Sequence, residues 1–173
     1  MKTIKVNLND SSAIEKAIKE LDTYQKELMT KIKLFVETLA QDGIAVANAR
    51  LGATVGDSTQ GSIGFGINEN GDIVKATISL SGKDALFIEF GAGIYYNNGN
   101  AHPKGAELGY TIGSYPSNTP PNKAINPGYW WYRDEGKNLH YSIGTQASMP
   151  IYRAAETMRN NAIMRASEVF RSS

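Results

Sequence analysis

The placing of apolar and polar residues divides the chain into patterned regions at both ends and a long unpatterned one between them. Thr3 to Leu8 alternate, with Ile4, Val6 and Leu8 on one side and Lys5 and Asn7 on the other, which predicts a short half-buried strand. Ser12 followed by Glu15 has the spacing of a capping box, in which each side chain satisfies a free backbone amide, so a helix is expected to start there. Ile14, Ile18, Leu21, Leu28, Ile32, Phe35 and Leu39 then recur at alternating steps of four and three, with Gln25 in one slot, and form a heptad seam. The seam can extend through Ile44 and Ala47 to about Leu51, with Gly43 as the expected bend because glycine costs about 1 kcal/mol in a helix interior. This spacing predicts a long helix lying across a sheet; a helix that also packs against a neighbouring subunit is the sharper alternative.

Gly52 to Gln60 reads GATVGDSTQ, the composition of a loop. Ile63, Phe65 and Ile67 then alternate with Gly64 and Gly66, Glu69-Asn70-Gly71-Asp72 supplies an Asn-Gly turn, and Val74, Ala76, Ile78 and Leu80 alternate again, which predicts a hairpin. The small outer-face residues Gly64 and Gly66 suggest that the long helix or a second subunit lies close against that face.

The stretch Ala85 to Gly93, ALFIEFGAG, sets Leu86, Phe87, Ile88 and Phe90 around a single acid, Glu89. Burying each large apolar side chain stabilises by roughly 1.5–3 kcal/mol, so the cluster is expected inside. A carboxylate among aromatics then calls for a partner, in this chain or another. With Asp84 as a candidate cap, the stretch reads as a short helix running into an extended exit, although a strand fits as well.

From Gly91 to Ser148 neither period is sustained, yet the segment holds Tyr95, Tyr96, Tyr110, Tyr115, Tyr129, Trp130, Trp131, Tyr132 and Tyr141. Disordered chains are poor in aromatics, so the segment reads as a projecting interaction arm whose aromatics dock on a rigid surface. Turns are expected at Asn118 to Pro121 and at Asn126-Pro127-Gly128. A last amphipathic helix is predicted from near Ser148 to Ser173, with Pro150 in its first turn and Ile151, Ala155, Met158, Ala162, Ala166 and Val169 on one stripe.

Composition narrows the function classes. At 173 residues the chain has the size of one domain, 1–173, with the aromatic- and Gly/Pro-rich arm inserted at about 91–148. Lys plus Arg number 18 against 17 Asp plus Glu, which lacks the cationic excess of a nonspecific nucleic-acid or membrane binder. No apolar run approaches the roughly 18 residues of a bilayer span, and the N-terminus has no apolar leader core, so a cytoplasmic protein is expected. The lack of cysteine removes disulfides, thiolate nucleophiles and thiolate metal sites.

His102 and His140 sit in no metal-ligand spacing, and His102, before Pro103-Lys104-Gly105, reads as a solvated loop histidine. There is no nucleophile elbow, Walker loop or dinucleotide fingerprint, and no second acid lies near Glu89 in sequence. An enzyme is therefore not expected, nor a metal, cofactor or small-molecule ligand. The run Tyr129-Trp130-Trp131-Tyr132 could stack on sugar rings, but hydrophobic plugs at a protein interface are the preferred use.

The order of strand, long helix, Asn-Gly hairpin, Phe87-Ile88-Glu89-Phe90-Gly91 block, insertion, and terminal helix introduced by Pro150-Ile151-Tyr152-Arg153-Ala154-Ala155 resembles the tail-completion or neck proteins of long-tailed bacteriophages and prophages. Ala92 stands where that family commonly has Thr. The resemblance implies an α+β subunit, with a small antiparallel sheet packed against a long N-terminal helix and a C-terminal helix. It also implies a homo-oligomeric ring in the virion, joining a head-connector or portal-side protein to a tail-tube or tail-terminator protein, with DNA passing through the lumen. Phe87, Glu89, Phe90, Gly91, Tyr95, Tyr96, Tyr129, Trp130, Trp131 and Tyr132 are the expected interaction residues. Glu89 is expected to pair with an amide or cation near an interface, so that Glu89→Ala harms assembly more than folding. A carbohydrate- or cell-wall-binding module using Trp130 and Trp131 is the alternative, and a hydrolase acting through Glu89 a third reading.

Overall fold

Helix α1 (Ser11–Gly52) is capped two residues earlier than the capping box predicts, because Asp10 takes the cap position. Its Oδ1 accepts the amide N–H groups of Ser12 at 2.9 Å and Ala13 at 3.4 Å, and the Ser12 hydroxyl donates to the same oxygen at 2.9 Å. Ser12 thus supports the cap rather than forming it. The computed structural model describes residues 10–56, 60–92, 102–109, 130–133, 136–142 and 144–171, with residues 130–132 described by their backbone alone. The strand expected at Thr3 to Leu8 lies outside the described residues, as do Tyr95, Tyr96 and Tyr129.

α1 passes through Gly43 without ending there, and over its 42 residues it spans about 63 Å. Gly43 is buried, and a Cβ on it would come within 2.8 Å of both Ile78 Cδ1 and Met158 Sδ. The glycine serves close packing, where the sheet and the last helix both meet α1.

Strands β1 (Ser62–Asn70) and β2 (Ile73–Ser81) form the predicted antiparallel hairpin, with Phe65 opposite Ile78 and Ile67 opposite Ala76. Its two-residue turn is Gly71-Asp72, one position later than the Asn-Gly pair, and Gly71 takes a φ of 59°. Alternation puts Ile63, Phe65 and Ile67 on the face of Ile78, which is the face turned to α1. α1 does not cover Gly64 and Gly66: among the described residues nothing lies within 4 Å of a Cβ at Gly66, and a Cβ at Gly64 meets the cross-strand Ser79.

Helix α2 (Ala85–Phe90) is the short helix expected over the acid-bearing stretch Ala85 to Gly93. Asp84 stands at its N-cap position, but its side chain makes no capping hydrogen bond; the Asp84 carboxylate accepts the Gln60 amide at 3.0 Å and the Asp84 amide donates back to the Gln60 carbonyl at 3.1 Å, closing the base of the hairpin. The last three residues of the helix, Ile88, Glu89 and Phe90, are buried, whereas Leu86 (62% exposed) and Phe87 (40% exposed) stay at the surface. The expectation that the whole cluster is inside fails at those two residues.

The insertion is not irregular throughout. β3 (Trp130–Arg133) and β4 (Leu139–Ser142) pair antiparallel, with Trp131 opposite Tyr141 and Tyr132 opposite His140. Strands of four residues are too short for alternation to reveal, and the aromatic run before Arg133 masks what pattern there is. Both ends of the insertion meet: the Ala92 amide donates to the Thr145 carbonyl at 2.7 Å and the Thr145 amide returns to Ala92 at 3.1 Å.

Helix α3 (Pro150–Arg171) starts at Pro150 and runs antiparallel to α1, since Met158 lies over Gly43 while Phe170 meets Phe35. The fold is α+β: a long N-terminal helix, a two-stranded antiparallel sheet and a C-terminal helix packed together, with Ala40, Ala47, Ile88, Phe90, Ala154 and Val169 buried between them. No helix among the described residues is long and apolar enough to cross a membrane.

Candidate functional site

Glu89 finds its partners inside the chain. α2 ends against the start of α3, where the first-turn amides have no intrahelical acceptor. The Glu89 carboxylate supplies one: Oε2 accepts the Ile151 amide at 2.9 Å and Oε1 accepts the Tyr152 amide at 2.9 Å. Pro150 brings no N–H of its own to this turn. A negative charge here also complements the positive end of the helix dipole, typically by 0.3–1 kcal/mol and more when partly buried, as this one is.

The third partner is His102. Its Nε2 lies 3.2 Å from Glu89 Oε1, and its Nδ1 accepts the Lys104 amide at 3.1 Å. Because Nδ1 is an acceptor, the ring proton belongs on Nε2, which donates to the carboxylate. The ring is held between Phe90 and Tyr152, with centroids 4.6 and 4.9 Å away. Glu89 and His102 are each only 8% exposed, so the solvated loop histidine of the sequence reading is a buried structural one.

Neighbouring loops brace the same junction. The Ser148 amide donates to the Ile88 carbonyl at 3.0 Å, the Ser148 hydroxyl donates to the same oxygen at 3.2 Å, and the Gln146 amide donates to Val55 at 2.8 Å. Gly91 turns the chain out of α2 at a φ of 81°, and a Cβ on it would lie 3.0 Å from the Ala147 amide. Of the expected interaction residues, Glu89, Phe90 and Gly91 therefore belong to this junction and Phe87 lies at the surface beside it, while Trp130, Trp131 and Tyr132 stand in β3.

An open cleft of about 460 Å³ borders the junction, lined by Leu80, Leu86, Phe90, Leu108, Ile151 and Ala155 among others. Lys104 stands at its rim, where the Glu107 carboxylate holds the ammonium pKa above its ordinary value. Neither nitrogen of His102 is free to face this cleft, and three of the roughly four acceptor positions of Glu89 are taken. Among the described residues no group of His, Asp and Glu is placed to hold a metal ion.

A second polar cluster joins α1 to α3. Arg165 clamps Asp42 through Nε at 2.9 Å and a terminal nitrogen at 2.8 Å, and Asn161 donates to the same carboxylate at 2.9 Å. These bonds, that from Arg165 foremost, hold the Asp42 carboxyl below its usual pKa.

Sequence reasoning saw that Glu89 needs a partner but missed His102. Thirteen residues separate the two across an aperiodic loop, and nothing in the spacing signals their meeting. No family model matches the chain, and neither the curated proteins nor the solved structures contain a match to it.

Proposed function

We propose that this chain is a structural subunit of the head–tail junction of long-tailed bacteriophages, a tail-completion or neck protein. Copies of it close into a ring between head connector and tail tube, and DNA passes through the lumen without specific binding. The observation that carries this reading is the set of large apolar side chains left exposed on both long helices: Ile18, Leu21 and Leu28 on α1, and Ile163 and Met164 on α3. Single exposed apolar residues are ordinary, but a row of them along one helix marks an interaction surface.

Two further points support it. The sequence blocks that carry the resemblance, Phe87 to Gly91 and Pro150 to Ala155, are the two sides of one junction, joined by Glu89. The buried polar groups of that junction satisfy one another, which suits a mechanical role better than general acid–base chemistry, where a group must reach a substrate. In this reading the subunit assembles in the bacterial host cytoplasm, resides in the virion, and takes as partners its own copies, a head-connector or portal-side protein, and a tail-tube or tail-terminator protein.

Sedimentation and electron microscopy of the purified full chain test the proposal. Rings, or incorporation into complexes with connector or tail components, are expected. A strict monomer at high concentration that joins neither would remove it, and tryptophan fluorescence that responds to glycans and is lost in Trp131→Ala would favour the carbohydrate-binding module instead.

A further inference from the structure

His102 anchors the segment that follows it. Residues 103–109 wind through successive tight turns, in which the Gly105 amide donates to the His102 carbonyl at 2.9 Å, the Leu108 amide to the Lys104 carbonyl at 3.0 Å and the Gly109 amide to the Ala106 carbonyl at 3.1 Å. Pro103, Lys104, Ala106, Glu107 and Leu108 are all exposed, and Gly105, though buried, has no side chain. The one buried side chain of 102–109 is therefore the His102 ring, seated between Phe90 and Tyr152.

That ring faces two ways. Its Nε2 donates to Glu89 Oε1 at 3.2 Å, while its Nδ1 accepts the Lys104 amide at 3.1 Å, as the side chain at a helix cap takes the second free amide. The usual caps Ser, Thr and Asn present an oxygen that accepts at any ordinary pH, whereas an imidazole nitrogen accepts only while the ring is neutral. A proton acts oppositely on the two sides. Towards Glu89 a neutral donor becomes a charged one, and that hydrogen bond strengthens. Towards Lys104 the new N–H on Nδ1 is set against the amide N–H, and the cap is lost. Among the described residues, the other titratable or charged groups around the ring are Tyr152 on α3, with the Arg153 guanidinium 5.5 Å from its centroid, and Lys104 and Glu107, paired with each other at 2.5 Å. β2 borders the same cleft with Ile78, Ser79 and Leu80, none of which titrates.

We propose that His102 is a proton-operated latch, whose protonation releases the turns 103–109 while the ring itself stays bound to Glu89. Lys104 and Leu108 form part of the wall of the cleft beside the junction, which Leu80, Leu86 and Ile151 also line. Release moves that part of the wall, so the shape of the cleft depends on pH. The latch rests on the geometry of the junction alone and stands or falls independently of the assembly reading.

In isotope-labelled full-length protein, long-range proton–nitrogen correlation spectra follow the His102 ring from about pH 8 to about pH 5, the range in which histidines commonly change charge, and hydrogen exchange follows the backbone amides. The neutral ring is expected to carry its proton on Nε2. As Nδ1 gains a proton, protection of the Gly105 and Leu108 amides, whose acceptors are carbonyls that do not titrate, is expected to fall about tenfold or more in the same step. The Ile151 and Tyr152 amides, held by Glu89, keep theirs. His102→Asn supplies a cap oxygen that does not titrate, and is expected to keep the turns closed throughout. Full protection of Gly105 and Leu108 over a doubly protonated ring overturns the latch, and so does a ring that stays neutral until the chain unfolds. An equal loss at Ile151 and Tyr152 also overturns it, since the whole junction would then open. A loss that persists in His102→Asn with the same midpoint assigns the effect to another group and removes the proposal. Should His102→Asn not fold, the titration of the parent decides alone.

Discussion

Glu89 accepts N–H groups from two places far apart in sequence, the head of α3 and the ring of His102, within a largely buried site. Removing the carboxylate leaves one buried and two partly buried donors without an acceptor, at about 1–3 kcal/mol for each one left unsatisfied. Glu89→Ala is therefore expected to destabilise the chain by about 3 kcal/mol or more, and Glu89→Gln, which keeps the shape and one carbonyl acceptor, by about half as much. Chemical denaturation followed by far-ultraviolet circular dichroism reads both. A Glu89→Ala midpoint equal to that of the parent would return the residue to an interface role, in which assembly suffers and folding does not. Two of the internal partners are backbone amides, one of the kinds of partner expected from sequence. Burial of a charged group among aromatics was legible from composition alone, and it correctly demanded a partner. Which partner was not legible, because a capping contact across sixty residues and a histidine in a loop leave no periodic trace.

Whole elements were read more securely where a period ran long enough. The heptad steps of α1, the alternation of β1 and β2, and the Pro150 start of α3 all repeat over several residues, and the structure has each of them. β3 and β4 escaped because four residues hold barely two alternations. At Gly43 the helix propensity is poor, but the missing side chain is what lets Ile78 and Met158 approach, and tertiary packing overrides propensity. The α1–α3 pairing also has a polar lock, and its pH dependence follows from Asp42. Arg165 and Asn161 lower the folded-state pKa of this carboxyl below its unfolded value near 3.9. The stabilisation is therefore fully present above about pH 4 and is lost as pH falls through the folded value. Asp42→Asn should cost about 1–3 kcal/mol at neutral pH, as expected for hydrogen bonds to charged groups. The gap in melting temperature between parent and variant should close as pH drops below about 4. A gap that stays constant down to the acid limit of folding would mean that the ionised form of Asp42 contributes nothing.

For the molecule as a whole, the informative quantity is charge that is absent. With 18 basic and 17 acidic side chains, the chain has a formal net charge of +1, while nonspecific DNA affinity comes almost wholly from phosphate neutralisation and counterion release. A subunit lining a DNA channel is better served by that balance than by a basic surface, because each phosphate contact that tightens binding also retards sliding. Full-length protein titrated with duplex DNA at about 0.15 M salt is therefore expected to bind no more tightly than the weak end of the nonspecific range, about 10⁻⁴ M. The affinity should also change little between low and moderate salt, since few counterions are released. Micromolar binding that falls steeply with salt would instead reveal a concentrated basic patch that net charge conceals. The proposed lumen would then be a grip on DNA rather than a passage, and the exposed seam of α1 would serve to place such patches side by side around the duplex.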